Sequence, residues 1–89
     1  MGNIFLTGFC NDERHKAINE IQKVVSTYGD IIDFKFFSAI SLSMVIEIKE
    51  FRIDQLYDDL QNKLGMNKFE YMNSISQKER TIYLNITFA

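Results

Sequence analysis

The chain has 89 residues, 46% of them apolar and 25% charged, which fits one soluble globular domain and leaves no room for two independent cores. Ten Lys and Arg against twelve Asp and Glu give a formal charge of −2, without the clustered basic excess that a phosphate backbone requires. One cysteine excludes an internal disulfide and a Cys-x-x-Cys site. No run approaches the ~20 apolar residues of a membrane helix and no secretory leader is recognisable, so a cytoplasmic protein that meets neither membrane nor nucleic acid is expected.

Ile4-Phe5-Leu6-Thr7-Gly8-Phe9 predicts a first strand, with Phe5 and Phe9 on one face and Ile4 and Leu6 on the other. Asn11 and Asp12 suit the start of a helix, and Ala17, Ile18, Ile21, Val24, Val25 and Tyr28 recur at steps of three and four, so a helix is expected from Asp12 to Tyr28. Gly29 stands where a left-handed cap would end it.

From Gly29 to Ile48 the chain reads as a long hairpin. Ile32, Phe34 and Phe36 alternate before a Ser38-Ala39-Ile40 bend, and Leu42, Met44, Ile46 and Ile48 alternate after it. The opposite face mixes Asp33, Lys35, Ser43 and Glu47 with Ile31, Phe37 and Val45, a candidate partner surface. A second helix is expected on the stripe Ile53, Leu56, Tyr57, Leu60 and Leu64, stopped at Gly65. Asn67 to Met72 predicts a weak fourth strand and Asn73 to Arg80 a polar connection. Thr81 to Phe88 follows as a strand with Ile82, Leu84, Ile86 and Phe88 on its buried face.

The order predicts an α+β, ferredoxin-like β-α-β-β-α-β antiparallel sheet with both helices on one face, a core over residues 4–72, and an additional C-terminal strand over 81–88. That strand is expected at a sheet edge or paired with a partner copy. The fold hosts many chemistries, so function has to come from residues. Cys10 with His15 makes at most half of a four-ligand metal site, and reads as a surface thiol beside a solvated histidine. Asp58-Asp59 reads as a solvated face. The first strand resembles one motif of RNA-recognition modules, but the third strand carries Ser41, Ser43, Val45 and Glu47 where base-stacking aromatics belong. No catalytic pairing and no cofactor motif is legible, and a non-enzymatic protein is expected.

Thr7-Gly8, the stripe of the first helix, Tyr28-Gly29-Asp30-Ile31-Ile32-Asp33 and Ser41-Leu42-Ser43-Met44-Val45-Ile46-Glu47-Ile48 together resemble an ACT domain. The closest likeness is to the modules that precede the catalytic domain of bacterial phosphoserine phosphatases and to glycine-cleavage regulatory proteins. The resemblance covers about Ile4 to Met72. It implies a dimeric regulatory module that senses an amino acid between the first βα loop of one copy and the second strand of its neighbour. Carried onto this chain, the ligand residues are Gly8, Asn11 and Asp12 from the loop and Gly29, Asp30 and Ile31 from the strand. Asn11 and Asp12 could accept from an ammonium group while helix N-terminal amides hold a carboxylate, or they could simply cap the helix. Where the family has Asp-Arg-Pro-Gly, this chain has Glu13-Arg14-His15-Lys16. A ligand-free assembly adaptor of the same fold is the alternative.

Overall fold

The computed structural model describes residues 3–88. Strand β1 (Ile4–Cys10) leads to helix α1 (Arg14–Tyr28), then to the hairpin of β2 (Gly29–Ser38) and β3 (Ser41–Lys49). A 3-10 turn at Glu50–Arg52 opens helix α2 (Ile53–Gln61), which is followed by the short β4 (Gly65–Met66) and the long β5 (Glu79–Phe88). The chain is α+β, with two helices and a five-stranded sheet in the order β2-β3-β5-β1-β4.

The alternation on β3 and β5 does what period two demands. Leu42, Met44, Ile46 and Ile48 on β3 and Ile82, Leu84, Ile86 and Phe88 on β5 are all buried, together with Leu6 and Cys10 of β1. They form one core with Ala17, Ile18, Ile21 and Val25 of α1 and Ile53, Leu56, Tyr57 and Leu60 of α2. Both helices therefore cover the same face of the sheet, and the other face is left uncovered.

The placement of β5 departs from expectation. It pairs antiparallel with β3, Met44 opposite Leu84, and parallel with β1, Leu6 opposite Leu84. The C-terminal strand is thus central, neither at an edge nor available to a partner, and the sheet is mixed rather than antiparallel. A ferredoxin-like order would set β1 beside β3; here β5 stands between them. The reason lies in its inward face. Four large apolar side chains need cover on both flanks as well as from the helices, and only the middle of the sheet supplies it.

Asn67 to Met72 forms no strand. The fourth strand is Gly65–Met66, paired with Gly8 and Phe9, and residues 67–78 run as irregular chain over α2. That chain is hydrogen-bonded along its length: Tyr57 O–H donates to the carbonyl of Asn67, the amides of Met72 and Asn73 donate to the Asp54 carboxylate, and Phe51 N–H donates to Ser76 O. Asn73 takes a positive φ of 49°, a conformation Asn tolerates better than most residues.

Local details around α1 also differ. The cap is Glu13, whose carboxylate accepts from the amides of His15 and Lys16 at 2.8 and 3.1 Å, so the helix starts at Arg14 and not Asp12. Gly29 is extended (φ −157°, ψ −167°), and the chain passes directly from helix to strand without a left-handed cap. Its lack of a side chain answers a close approach instead: a Cβ there would lie 2.7 Å from Glu47 O and 2.9 Å from Ile48 Cβ. In β2 an extra residue at Ile32 shifts the ladder, so that Ile31 faces Ile46 while Phe34 and Phe36 face Met44 and Leu42. Ile31 therefore joins the core face, and Ile32, expected there, is 58% exposed.

Candidate functional site

The residues expected to hold a ligand fall into two groups at opposite ends of the sheet. Gly8 is level with Ile86 and Leu42, whereas Gly29 is level with Ile48 and Arg80. The six residue steps from Leu42 to Ile48 correspond to roughly 20 Å along the strand at ~3.3 Å per residue. Within one chain the two groups do not meet.

At the first end, Gly8 faces the core. A Cβ on it would lie 3.0 Å from Leu64 Cδ1 and 3.1 Å from Met66 Sδ, so packing of the α2–β4 connection against β1 accounts for the glycine. Asn11 and Asp12 are exposed in the β1–α1 loop. Asp12 borders a depression of about 230 Å3 between the helices, lined also by Glu20, Lys63 and Leu64, with Lys63 Nζ 3.5 Å from Glu20 Oε1. Arg14 ties this end to the hairpin, donating from Nη1 to Ala39 O and lying 5.0 Å over the Phe36 ring.

At the other end, Gly29 and Asp30 line an open cleft of about 400 Å3 at the foot of the sheet. Lys49 and Arg52 bring positive charge to it, and Asp30, Glu47 and Glu79 bring negative charge. The register explains the grouping: Asp30 stands opposite Glu47, and Lys49 opposite Glu79. Arg52 is held by donation from Nη1 to Thr27 O at 3.2 Å. Ile31, next in the chain, turns toward the core face opposite Ile46 and is half-buried.

Lys49, Arg52 and Glu79 were not singled out from sequence. Lys49 and Arg52 follow the β3 alternation at the end of the hairpin, which is a usable signal; Glu79 joins them only because β5 enters the sheet beside β3.

Several other groups find structural employment. Cys10, expected at the surface, is buried beneath the helices because it continues the inward face of β1 after Leu6 and Gly8. His15 is exposed, and among the described residues no three His, Cys, Asp or Glu gather as a metal site. Asp58 and Asp59 accept from Tyr71 and Tyr28 respectively, and these contacts, with burial second, raise both phenols above the ordinary tyrosine pKa. Glu13 is held below the usual carboxylate value by the His15 and Lys16 amides.

On the uncovered face, Phe5 and Tyr83 stack across β1 and β5, with ring centroids 5.2 Å apart and planes 18° apart. Each ring covers a face of the other. Among the described residues no helix is long and apolar enough to cross a membrane. Comparison with protein-family models, curated proteins and solved structures finds no match to this chain.

Proposed function

We propose that this chain is a non-catalytic regulatory module, ACT-like in its sequence pattern though not in its strand order, cytoplasmic and dimeric, whose ligand is a small amino acid held at the foot of β2. The observation that carries the reading is the cleft beside Gly29 and Asp30, where side chains of both signs converge. An amino acid is a zwitterion. Lys49 and Arg52 suit its carboxylate, and Asp30, Glu47 and Glu79 suit its ammonium group. The loop bearing Asn11 and Asp12 would contribute only from a neighbouring copy, since it lies at the far end of its own sheet.

A thermal-shift screen of the whole chain against amino acids and related metabolites tests this. A ligand at a hundred times its dissociation constant stabilises by ~2.7 kcal/mol, and a domain of this size gains roughly 4–8 °C per kcal/mol at the midpoint. A hit should weaken on Arg52→Ala. A flat response across the panel removes the sensor reading.

The second reading is the ligand-free assembly adaptor, favoured by the uncovered sheet face where Phe5 is 67% exposed beside Tyr83 and Phe9. Its strands β1 and β5 present Phe5, Thr7, Phe9, Thr81, Tyr83, Asn85 and Thr87, with Glu79 at the end of β5 as their formal charge, a largely uncharged patch of the kind found at the centre of a protein interface.

A further inference from the structure

The cleft at the foot of the sheet is not balanced in charge. Three carboxylates, Asp30, Glu47 and Glu79, border it with two cations, Lys49 and Arg52, so their formal sum is −1. Its volume of about 400 Å3 lies within the usual range of small-ligand sites, roughly 300–1,000 Å3. An amino acid with an uncharged side chain is neutral overall and leaves the negative excess in place.

The strand register locates that excess. Lys49 stands opposite Glu79, a favourable pairing of unlike charges. Asp30 stands opposite Glu47, and two like charges directly opposed on one face repel. Both are exposed, and among the described residues neither takes part in an ion pair. Arg52 approaches from the helix side: its Nη1 donates to Thr27 O, and its guanidinium lies 5.5 Å from the centre of the Phe51 ring. With the charge of Lys49 offset by Glu79, Arg52 is the cation left for a ligand carboxylate. Asp30 and Glu47 are two carboxylates left for ligand cations.

We infer that the amino acid taken by this cleft is a basic one, of the lysine, ornithine or arginine class, with its carboxylate on Arg52 and its two cationic groups on Asp30 and Glu47. Such a ligand carries a single net positive charge and brings the cleft to neutrality. Phe51, 39% exposed on the same cleft, gives apolar cover to the methylene stem between the ligand's charges. The inference rests on the amino-acid reading of the cleft and narrows it to one class.

Calorimetric titration of the full-length chain with L-lysine, L-arginine, L-norleucine and cadaverine tests the class. Lysine and arginine should bind roughly threefold to tenfold more tightly than norleucine, which keeps the lysine stem and lacks its terminal cation. Cadaverine keeps both amines, lacks the carboxylate for Arg52, and should bind more weakly than lysine. Asp30→Asn and Glu47→Gln should each narrow the gap between lysine and norleucine; both positions are exposed, so the variants keep the fold, which circular dichroism checks. Norleucine as tight as the basic amino acids overturns this inference and leaves the amino-acid reading standing. Cadaverine as tight as lysine overturns it by reducing the cleft to a site for any cation. A gap that neither variant narrows overturns the placement on Asp30 and Glu47. No binding of lysine or arginine also overturns it, and whether another amino acid registers in the thermal-shift screen separates that failure from failure of the wider reading.

Discussion

Arg80 Nη1 lies 2.6 Å from Glu50 Oε2, an ion pair that is 14% and 16% exposed on its two sides and joins the start of β5 to the turn before α2. Ser74 donates its hydroxyl to the other oxygen of Glu50 at 2.6 Å. The Ser74 hydrogen bond, then Arg80, holds Glu50 below the ordinary carboxylate pKa.

The pH dependence has a definite sign. A carboxylate with a depressed folded pKa contributes stability that is fully present above its unfolded pKa and is lost as pH falls through the folded one. Glu50 and Glu13 both belong to this class. Thermal midpoints should therefore hold level above the ordinary Glu value of 4.5 and fall below it. Glu50→Gln should flatten part of that acid limb; an unchanged limb would place the linkage elsewhere.

Tyr28 and Tyr71 behave in the opposite sense. Their hydrogen bonds to Asp59 and Asp58 raise the folded pKa above 10.0, so the stability they contribute is complete below that value and is lost as pH rises through the folded pKa. Absorbance titration near the phenolate band should show two late-ionising tyrosines, one of which returns toward 10.0 in Asp59→Asn.

Truncation before Glu79 should abolish the fold. The strand carries Ile82, Leu84, Ile86 and Phe88, all buried, each contributing roughly 1.5–3 kcal/mol by burial against a whole-domain stability of about 5–15 kcal/mol. Removing it also parts the β2–β3 hairpin from β1, which keeps only the two-residue β4 beside it. Loss of a cooperative thermal transition is the expected readout, and a truncated chain that still melts cooperatively would exclude a central β5. Leu84→Ala is the milder test, at about 2–5 kcal/mol.

Burial was legible on β3 and β5, and adjacency was not. The alternation Leu42, Met44, Ile46, Ile48 and that of Ile82 to Phe88 state which face is inward, and both hold. Period two is silent about neighbours, so nothing in Thr81 to Phe88 says that it separates β1 from β3. Strict alternation puts Ile32 on the buried face with Phe34 and Phe36 and Ile31 opposite, and the extra residue at Ile32 brings Ile31 to the core face in its place. Asn11 and Asp12 suit a cap by type, whereas Glu13 reads as an acid of the first turn; only geometry selects Glu13 as the cap. The charged cleft depends on a register, Lys49 opposite Glu79, that no local pattern encodes.

The strand glycines Gly29 and Gly8 should differ in cost. At Gly29 an added methyl meets backbone, Glu47 O at 2.7 Å, and the hairpin has to open. At Gly8 it meets the flexible ends of Leu64 and Met66 at 3.0 and 3.1 Å, which can rotate away. Gly29→Ala should therefore lose about 1–3 kcal/mol and Gly8→Ala less, by chemical denaturation. The reverse order would contradict the tight β2–β3 approach.

The last expectation concerns the uncovered face. Phe5 and Tyr83 stack at 5.2 Å with planes 18° apart, on adjacent parallel strands and opposite one another in the register. Aromatic pairs of this kind contribute ~0.5–1.5 kcal/mol beyond the area they bury. A double-mutant cycle of Phe5→Leu and Tyr83→Leu isolates that coupling, since leucine keeps apolar bulk while removing the ring. The coupling should fall in the stated range and should be independent of protein concentration, because both rings belong to one chain. A coupling near zero would mean that the rings stand apart in solution, with their faces free for a planar ligand. A coupling that grows with concentration would mean that a second copy completes the stack, which places the association surface on this face.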